Sequence, residues 1–383
     1  MKHTALLLPG LERIAGVERQ VMLLARGLRK RGWRVSVVTL SGCGGRAAKD
    51  LSEAGIEFLT LGMRKGLADP RGWIRFHSWL RRNRPDVLHA HLPHAAWLAR
   101  GSRLLAHVPV VIDTIHSSWT GGSGRRTAYR LSRWLPDGVT AVSHSVAASH
   151  LHAGMILADS LRVIPNGVDT CRFKPDPLDR NVSRRQFGVT HEFLWLAAGR
   201  LEPVKDYPTL LRAMTKLPEQ ARLVIAGAGT QESELRRLCA GLGLDERVHF
   251  VGFMTEIAAW MHAADGFVLN SLWEGLPLSL LEAAACALPA VATDVSGTRE
   301  VILPGHTGYL VDPRQPSQLA RSMLALMQAS NAERHAMGER ARELVVEKYE
   351  MERVLDRWEA LYTELMGRVR DHSSEPEVDC TDA

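Results

Sequence analysis

The chain has 383 residues, 45% of them hydrophobic, enough for two cores of ordinary size, and a formal net charge of +6. No apolar run reaches the roughly 18 residues of a spanning helix, so no bilayer crossing is expected. The cysteines, Cys43, Cys171, Cys239, Cys286 and Cys380, are odd in number and far apart; they form neither a disulfide framework nor a CxxC metal site, which favours a reducing cytoplasm.

Met1 to Gly10 holds a short apolar run that meets Pro9 and Gly10 without a small-residue cleavage site, so it reads as a first strand and not as a leader. Strands are predicted at Thr4 to Leu8, Arg34 to Thr39, Val87 to Ala90, Val110 to Asp113, Val139 to Val142 and Arg162 to Ile164. Their alternation with helical patterns is the rhythm of a doubly wound parallel sheet. Glu18 to Arg31 sets Val21, Leu24, Ala25 and Leu28 at helical spacing, with Arg26, Arg29, Lys30 and Arg31 facing away and Gly32 as a stop. Gly16 lies at the start of that helix, where a glycine lets backbone amides approach a phosphate. His89 and His91, in PDVLHAH, fall on or just past a strand and lack a third ligand at metal spacing, so they are expected as core or rim histidines. His116 follows a strand and is expected at the rim of a cleft.

Two segments mix aromatics with arginine: Trp73, Ile74, Phe76, Trp79 and Leu80 among Arg71, Arg75, Arg81, Arg82 and Arg84, then Tyr129 and Trp134 among Arg125, Arg126, Arg130 and Arg133. Each fits either a core-packed helix with a solvated basic face or a helix lying on an anionic bilayer. Through Pro165 there are 24 Lys and Arg against 10 Asp and Glu, and beyond it 24 against 32. A basic first half attracts phosphate-rich surfaces; nucleic acid is not the expected partner, because no zinc-finger, RNP or KH signature accompanies the charge.

PNGVD, Pro165 to Asp169, punctuates the chain, and the βα rhythm restarts. Strands are predicted at Phe193 to Ala198, Arg222 to Ala226, Val248 to Val251, Phe267 to Leu269, Ala290 to Ala292 and Tyr309 to Val311. The predicted organisation is a domain over 1–165, a second over 166–350, a helix over 351–370 returning to brace the first domain, and a disordered acidic tail over 371–383. Two such domains would leave a cleft between the carboxyl ends of their sheets, where open α/β sheets bind ligands.

Arg200 closes the first strand of the second half and Lys205 follows at the predicted start of the next helix, two cations suited to a diphosphate. Gly227-Ala228-Gly229 lacks the third glycine of a dinucleotide fingerprint, since Glu232 stands there, and reads as a close strand-to-helix turn. The most telling stretch covers residues 265–312. There Glu274 and Glu282 bracket Gly275-Leu276-Pro277, and Pro277 in a first helical turn leaves Glu274 in the loop at a strand's carboxyl end and Glu282 on the helix. The helix amino end can point at the same anion as the two cations.

With RGWRVSVVTL, PDVLHAH, IDTIHSS, AVSHSV, RVIPNGVD, AAGRLEPVKD, LVIAGAG, EGLPLSLLE, LPAVATDVSGTREVI and GHTGYLV in order along nearly the whole chain, the sequence resembles the retaining nucleotide-sugar glycosyltransferases of family 4. The resemblance implies an α/β GT-B fold of two Rossmann-like domains. It implies Arg200 and Lys205 on the donor diphosphate, Glu282 on the ribose hydroxyls and Glu274 on the transferred sugar. His116 would touch sugar or acceptor, and Gly16, Gly252, Gly275 and Leu276 would line the donor. The implied reaction keeps the sugar's configuration, the leaving diphosphate helping to deprotonate the acceptor, with no cofactor and the cations in place of a metal. Two positions depart from the family: Ala15 where paired glycines are usual, which bears on how closely the loop approaches donor or acceptor, and Ala287 in place of a glycine, expected to affect packing alone. The expected acceptor is a glycan or lipid-linked glycan in polysaccharide or glycolipid synthesis, with the enzyme cytoplasmic or peripheral on the inner membrane face. The rivals are a nucleotide-sugar 2-epimerase of the same architecture and a non-catalytic nucleotide-sugar or lipid-head-group binding subunit.

Overall fold

The computed structural model describes residues 1–12, 15–63, 69–106 and 108–374, which form two compact units. Unit 1 comprises Met1–Pro165 and the chain from Glu352 onward; unit 2 is the continuous segment Asn166–Met351.

Unit 1 holds β1 (His3–Leu8), β2 (Arg34–Thr39), β3 (Glu57–Thr60), β4 (Val87–His91), β5 (Val110–Ile115), β6 (Gly138–Ala141) and β7 (Leu161–Val163) in the order β3-β2-β1-β4-β5-β6-β7, all parallel. Helices follow the strands and cover both faces, which is why β1 and β4 are buried at every position. The strand missing from the sequence reading is β3, an edge strand whose residues are exposed or half-buried, so that no apolar run marks it.

The helix Met351–Ser374 completes this unit. Arg31 donates to Asp356 (2.7 Å), Glu359 (2.6 Å) and Glu352 (2.6 Å), and Trp33 Nε1 donates to Glu359 (2.7 Å). A Cβ on Gly27 would come within 2.3 Å of Leu355, so glycine there lets the two helices close on each other. These contacts correct two expectations. The helix carries four residues past the predicted limit of 370, leaving 375–383 outside the described residues, and its acids neutralise part of the positive charge counted in the first half.

Unit 2 holds β8 (Phe193–Ala198), β9 (Ala221–Ala226), β10 (Val248–Gly252), β11 (Gly266–Leu269), β12 (Ala290–Thr293) and β13 (Gly308–Val311) in the order β10-β9-β8-β11-β12-β13, again all parallel. The chain winds outward from β8 to β10, then returns to pair β11 against β8 and winds the other way. The crevice outside the carboxyl ends of β8 and β11 is therefore the unit's topological switch point.

Candidate active site

The loops leaving β8 and β11 meet at that switch point. Beyond β8 the chain passes Gly199, Arg200 and Leu201, makes a short 3-10 turn at Pro203–Lys205 and enters the helix Tyr207–Met214. Lys205 thus closes this turn and does not start the helix as expected from sequence; the helix begins two residues later, because Asp206 adopts a left-handed φ of 45° between the two. Gly227 and Gly229 explain the loop's position: a Cβ at either would fall 1.9 Å from the Gly199 carbonyl oxygen or 2.3 Å from that of Leu201. The backbones are further tied by Leu201 N–H to Ala228 O (3.1 Å) and Gly227 N–H to Gly252 O (2.8 Å). Gly252 needs its glycine for conformation, at φ +72°, with open space around it.

Beyond β11, Ser271 and Glu274 lie in the loop and Glu282 on the helix Leu278–Ala285, as the spacing predicts. Pro277 caps that helix and is not in its first turn. Lys205 Nζ pairs with Glu274 Oε1, and the Ser271 hydroxyl donates to the same oxygen at 2.6 Å. Ser296 donates to the Glu274 carbonyl, and Asn166 to that of Leu276 (2.8 Å). Gly275 and Leu276 are buried, and a Cβ on Gly297 would meet the Gly275 oxygen at 2.2 Å, so this loop is also held backbone to backbone. Arg200 is exposed, and no side-chain hydrogen bond or ion pair to it occurs among the described residues. Tyr207 donates to Gly199 O (3.1 Å), and burial with the nearby Glu274 carboxylate raises its phenol above the usual range. Glu282 is buried, and burial with its charge pushes the Cys286 thiol up to about 12.

The helix that carries Glu282 ends in a Schellman motif. Leu288 N–H reaches Ala283 O (3.0 Å), Ala287 N–H reaches Ala284 O (2.9 Å), and Ala287 sits at φ +54°. The expectation that alanine here affects packing alone is thereby corrected: the position calls for a left-handed residue, and alanine carries strain that glycine would not.

In unit 1, Gly16 opens the helix Gly16–Lys30, and Ala15 N–H donates to Glu18 (3.2 Å), so the chain's own carboxylate sits at that amino end. Ala15 has an extended φ of −98°, open to any residue, and its lack of a glycine costs no backbone strain. His116 is half-buried beside β5, its Nε2 3.1 Å from His91 Nδ1. His89 uses both ring nitrogens, on Tyr362 (2.6 Å) and Thr114 (2.6 Å). Burial drives His89 and His116 down to about 3 and His91 well below the usual range, so all three are neutral imidazoles. His91 Nε2 and His116 Nδ1 are buried without a hydrogen-bond partner, a signal the sequence could not carry. Leu92, which follows β4, adopts φ +71° and ψ 155°, a region otherwise reserved for glycine.

Residues 179–344 match the family Glycosyl transferases group 1, and residues 14–172 match Glycosyltransferase Family 4. The GDP-mannose-dependent alpha-(1-6)-phosphatidylinositol monomannoside mannosyltransferase of Mycobacterium tuberculosis is 30% identical over 295 residues, 73% of this chain and 73% of its own. The chain belongs to the family 4 glycosyltransferases. A second relative, the N-acetyl-alpha-D-glucosaminyl L-malate synthase of Bacillus anthracis, is 27% identical over 296 residues, 75% of this chain and 76% of its own. Among solved structures, Anabaena HepE in complex with UDP and glucose matches with a TM-score of 0.84 at 21% identity, over 94% of this chain and 99% of that one. The two parallel-sheet units are those of the GT-B glycosyltransferase fold.

Proposed function

We propose that this glycosyltransferase moves a sugar, with retained configuration, from a nucleotide-diphosphate sugar to a hydroxyl of a glycan or lipid-linked acceptor in polysaccharide or glycolipid synthesis. The observation that carries the reading is the Lys205–Glu274 pair at the switch point of unit 2, with unpartnered Arg200 on the same loop as Lys205. An arriving diphosphate offers Lys205 a second anion. Lys205 and Arg200 would take the phosphates, and Glu274, still held by Ser271, would turn to the sugar's hydroxyls. Glu282, buried further along the helix, would bind the ribose. As the bond to the anomeric carbon breaks, charge grows on the leaving phosphate, where cations already in place stabilise it most. That phosphate would accept the acceptor's proton on the face the sugar leaves. His116, a neutral imidazole, would hydrogen-bond sugar or acceptor through its unpartnered Nδ1.

Because two side-chain cations supply the positive charge, transfer is expected to continue in a chelator. A panel of nucleotide sugars screened by thermal shift identifies the donor, since ligand binding to the native state raises its melting temperature. The product's anomeric configuration, read by NMR, then tests retention: an inverted linkage would refute the mechanism. Conversion of the donor in the absence of any acceptor would favour a 2-epimerase, and donor binding without turnover on any acceptor a binding subunit.

A further inference from the structure

Several arginines of unit 1 are neutralised: Arg26, Arg31, Arg34, Arg100, Arg103 and Arg162 each meet a carboxylate. Arg125, Arg126, Arg130 and Arg133 meet none among the described residues; the last three donate to the carbonyls of Gly121 (3.3 Å), Ala153 (2.8 Å) and Gly154 (3.4 Å), which leaves their charge whole. The local sequence explains this. From residue 114 to residue 158 the one acid is Asp137, and it is taken by Arg103 (2.8 Å) and by the Val111 N–H (2.7 Å).

Two of these arginines line an open pocket of about 430 Å³ between the helices Ser123–Leu131 and His144–His152, whose lining is Thr120, Arg126, Arg130, Ser149, His152 and Ala153. Two guanidinium groups, an imidazole and two hydroxyl-bearing residues lining one space, the Ser149 hydroxyl itself donating to Ser145 O (2.9 Å), match the oxygens of a phosphate ester. The same stretch of chain exposes large apolar side chains: Trp119, next to Thr120, is 59% exposed, Leu131, next to Arg130, 74% and Trp134 66%, with the Arg125 guanidinium 5.3 Å from the Trp119 ring centre. The other basic aromatic segment differs. In the helix Pro70–Asn83, Phe76 and Leu80 are core residues and Trp73 and Trp79 pack against them, so its aromatics are spent inside and Ile74 is its one exposed large apolar side chain.

We propose that the pocket formed by Arg126, Arg130, Ser149 and His152 binds the phosphate of an anionic phospholipid headgroup, with Trp119, Leu131 and Trp134 inserted at the membrane interface. Exposed indoles seek that boundary, and unpaired arginines are drawn to an anionic leaflet. The proposal rests on the lipid-linked acceptor reading for what the docking serves; the binding itself needs no donor.

The test is co-sedimentation of the full chain with phosphatidylglycerol vesicles and with phosphatidylcholine vesicles. Binding to the first and not the second is expected. Arg126→Gln and Arg130→Gln, which keep a donor for the Gly121 and Ala153 carbonyls, should each lower partitioning about five-fold, and Trp134→Ala should lower it further. Millimolar glycerol phosphate should not release the protein. Equal binding to both vesicles, unchanged binding of the two glutamine variants, or release by glycerol phosphate, which would make the occupant a soluble ester, each overturns the proposal. Donor-induced thermal shifts, measured on the same variants, report on unit 2 alone. Their absence in the unaltered protein, with vesicle binding intact, would overturn the nucleotide-sugar reading and leave this one standing.

Discussion

In unit 1 Arg100 meets Asp113 on β5 with side chains only 2% and 1% exposed, whereas in unit 2 Lys205 meets Glu274 with both 13% exposed. The first pair is roofed by the Tyr129 ring, 4.5 Å from the guanidinium, and Arg100 also donates to Ser132 (2.8 Å). Burial outweighs the attraction of Arg100 and holds the Asp113 carboxyl above its usual range. The second pair lies on two loops at a switch point, with one serine as its further support. The contrast teaches what separates an ion pair that is architecture from one that can change partners: the first has no route for a competing anion, and the second stands where a ligand arrives.

The sharpest way to break this contrast is at the closed pair. Arg100→Met leaves Asp113 buried and unpaired, and the expected loss is about 3–5 kcal/mol of stability by urea denaturation. Adding Asp113→Leu should recover most of it, because two apolar groups replace the pair without an orphaned charge. A single variant as stable as the parent would show that the pair is not structural. At the open pair the expected loss is in turnover: Lys205→Ala should lower kcat by roughly 10²-fold or more, the worth of one preorganised donor at about 2.7–4 kcal/mol. Its melting temperature should change little, and unfolding in place of slow turnover would put Lys205 in the same class as Arg100.

Acid sharpens the difference between the units further. His89 and His116, held down to about 3 by burial, and His91 beside them return to about 6.5 in the unfolded chain. Unfolded chains therefore bind more protons below that pH. Stability is complete above about 6.5 and falls as the pH drops toward 3, by about 1 kcal/mol per pH unit for each histidine. Urea midpoints measured between pH 7 and 5 should show unit 1 weakening first, more shallowly in His116→Gln; a flat profile would contradict this. The smallest effect belongs to unit 2, where Ala287→Gly should add about 0.5–1 kcal/mol by relieving the left-handed alanine. Calorimetry showing a loss would mean that alanine is not strained there.

Strands covered on both faces leave continuous apolar runs, so β2 and β8 are legible in the sequence to the residue, while β3, half-solvated at an edge, is not. The Glu274 and Glu282 positions follow from one helix start and one proline. The pairing of Lys205 with Glu274 does not, because it joins loops 69 residues apart through the order of the strands. Charge counted along the chain misleads for the same reason. Acids that neutralise Arg31 come from Glu352, Asp356 and Glu359, while Arg126 and Arg130 meet no carboxylate among the described residues. The strain at Ala287 is a matter of backbone dihedral, to which composition and periodicity are blind.

The helix Met351–Ser374 also fixes an order of events during synthesis. Leu355 and Tyr362 belong to the core of a unit whose strands all precede Asn166, so the amino-terminal portion leaves the ribosome with a gap where this helix belongs. At a translation rate of roughly 5–20 residues per second, the intervening segment takes tens of seconds to emerge. The uninterrupted middle segment can acquire its structure during that interval, while the strands of unit 1 wait, with apolar surface open to chaperones, for a helix made after it.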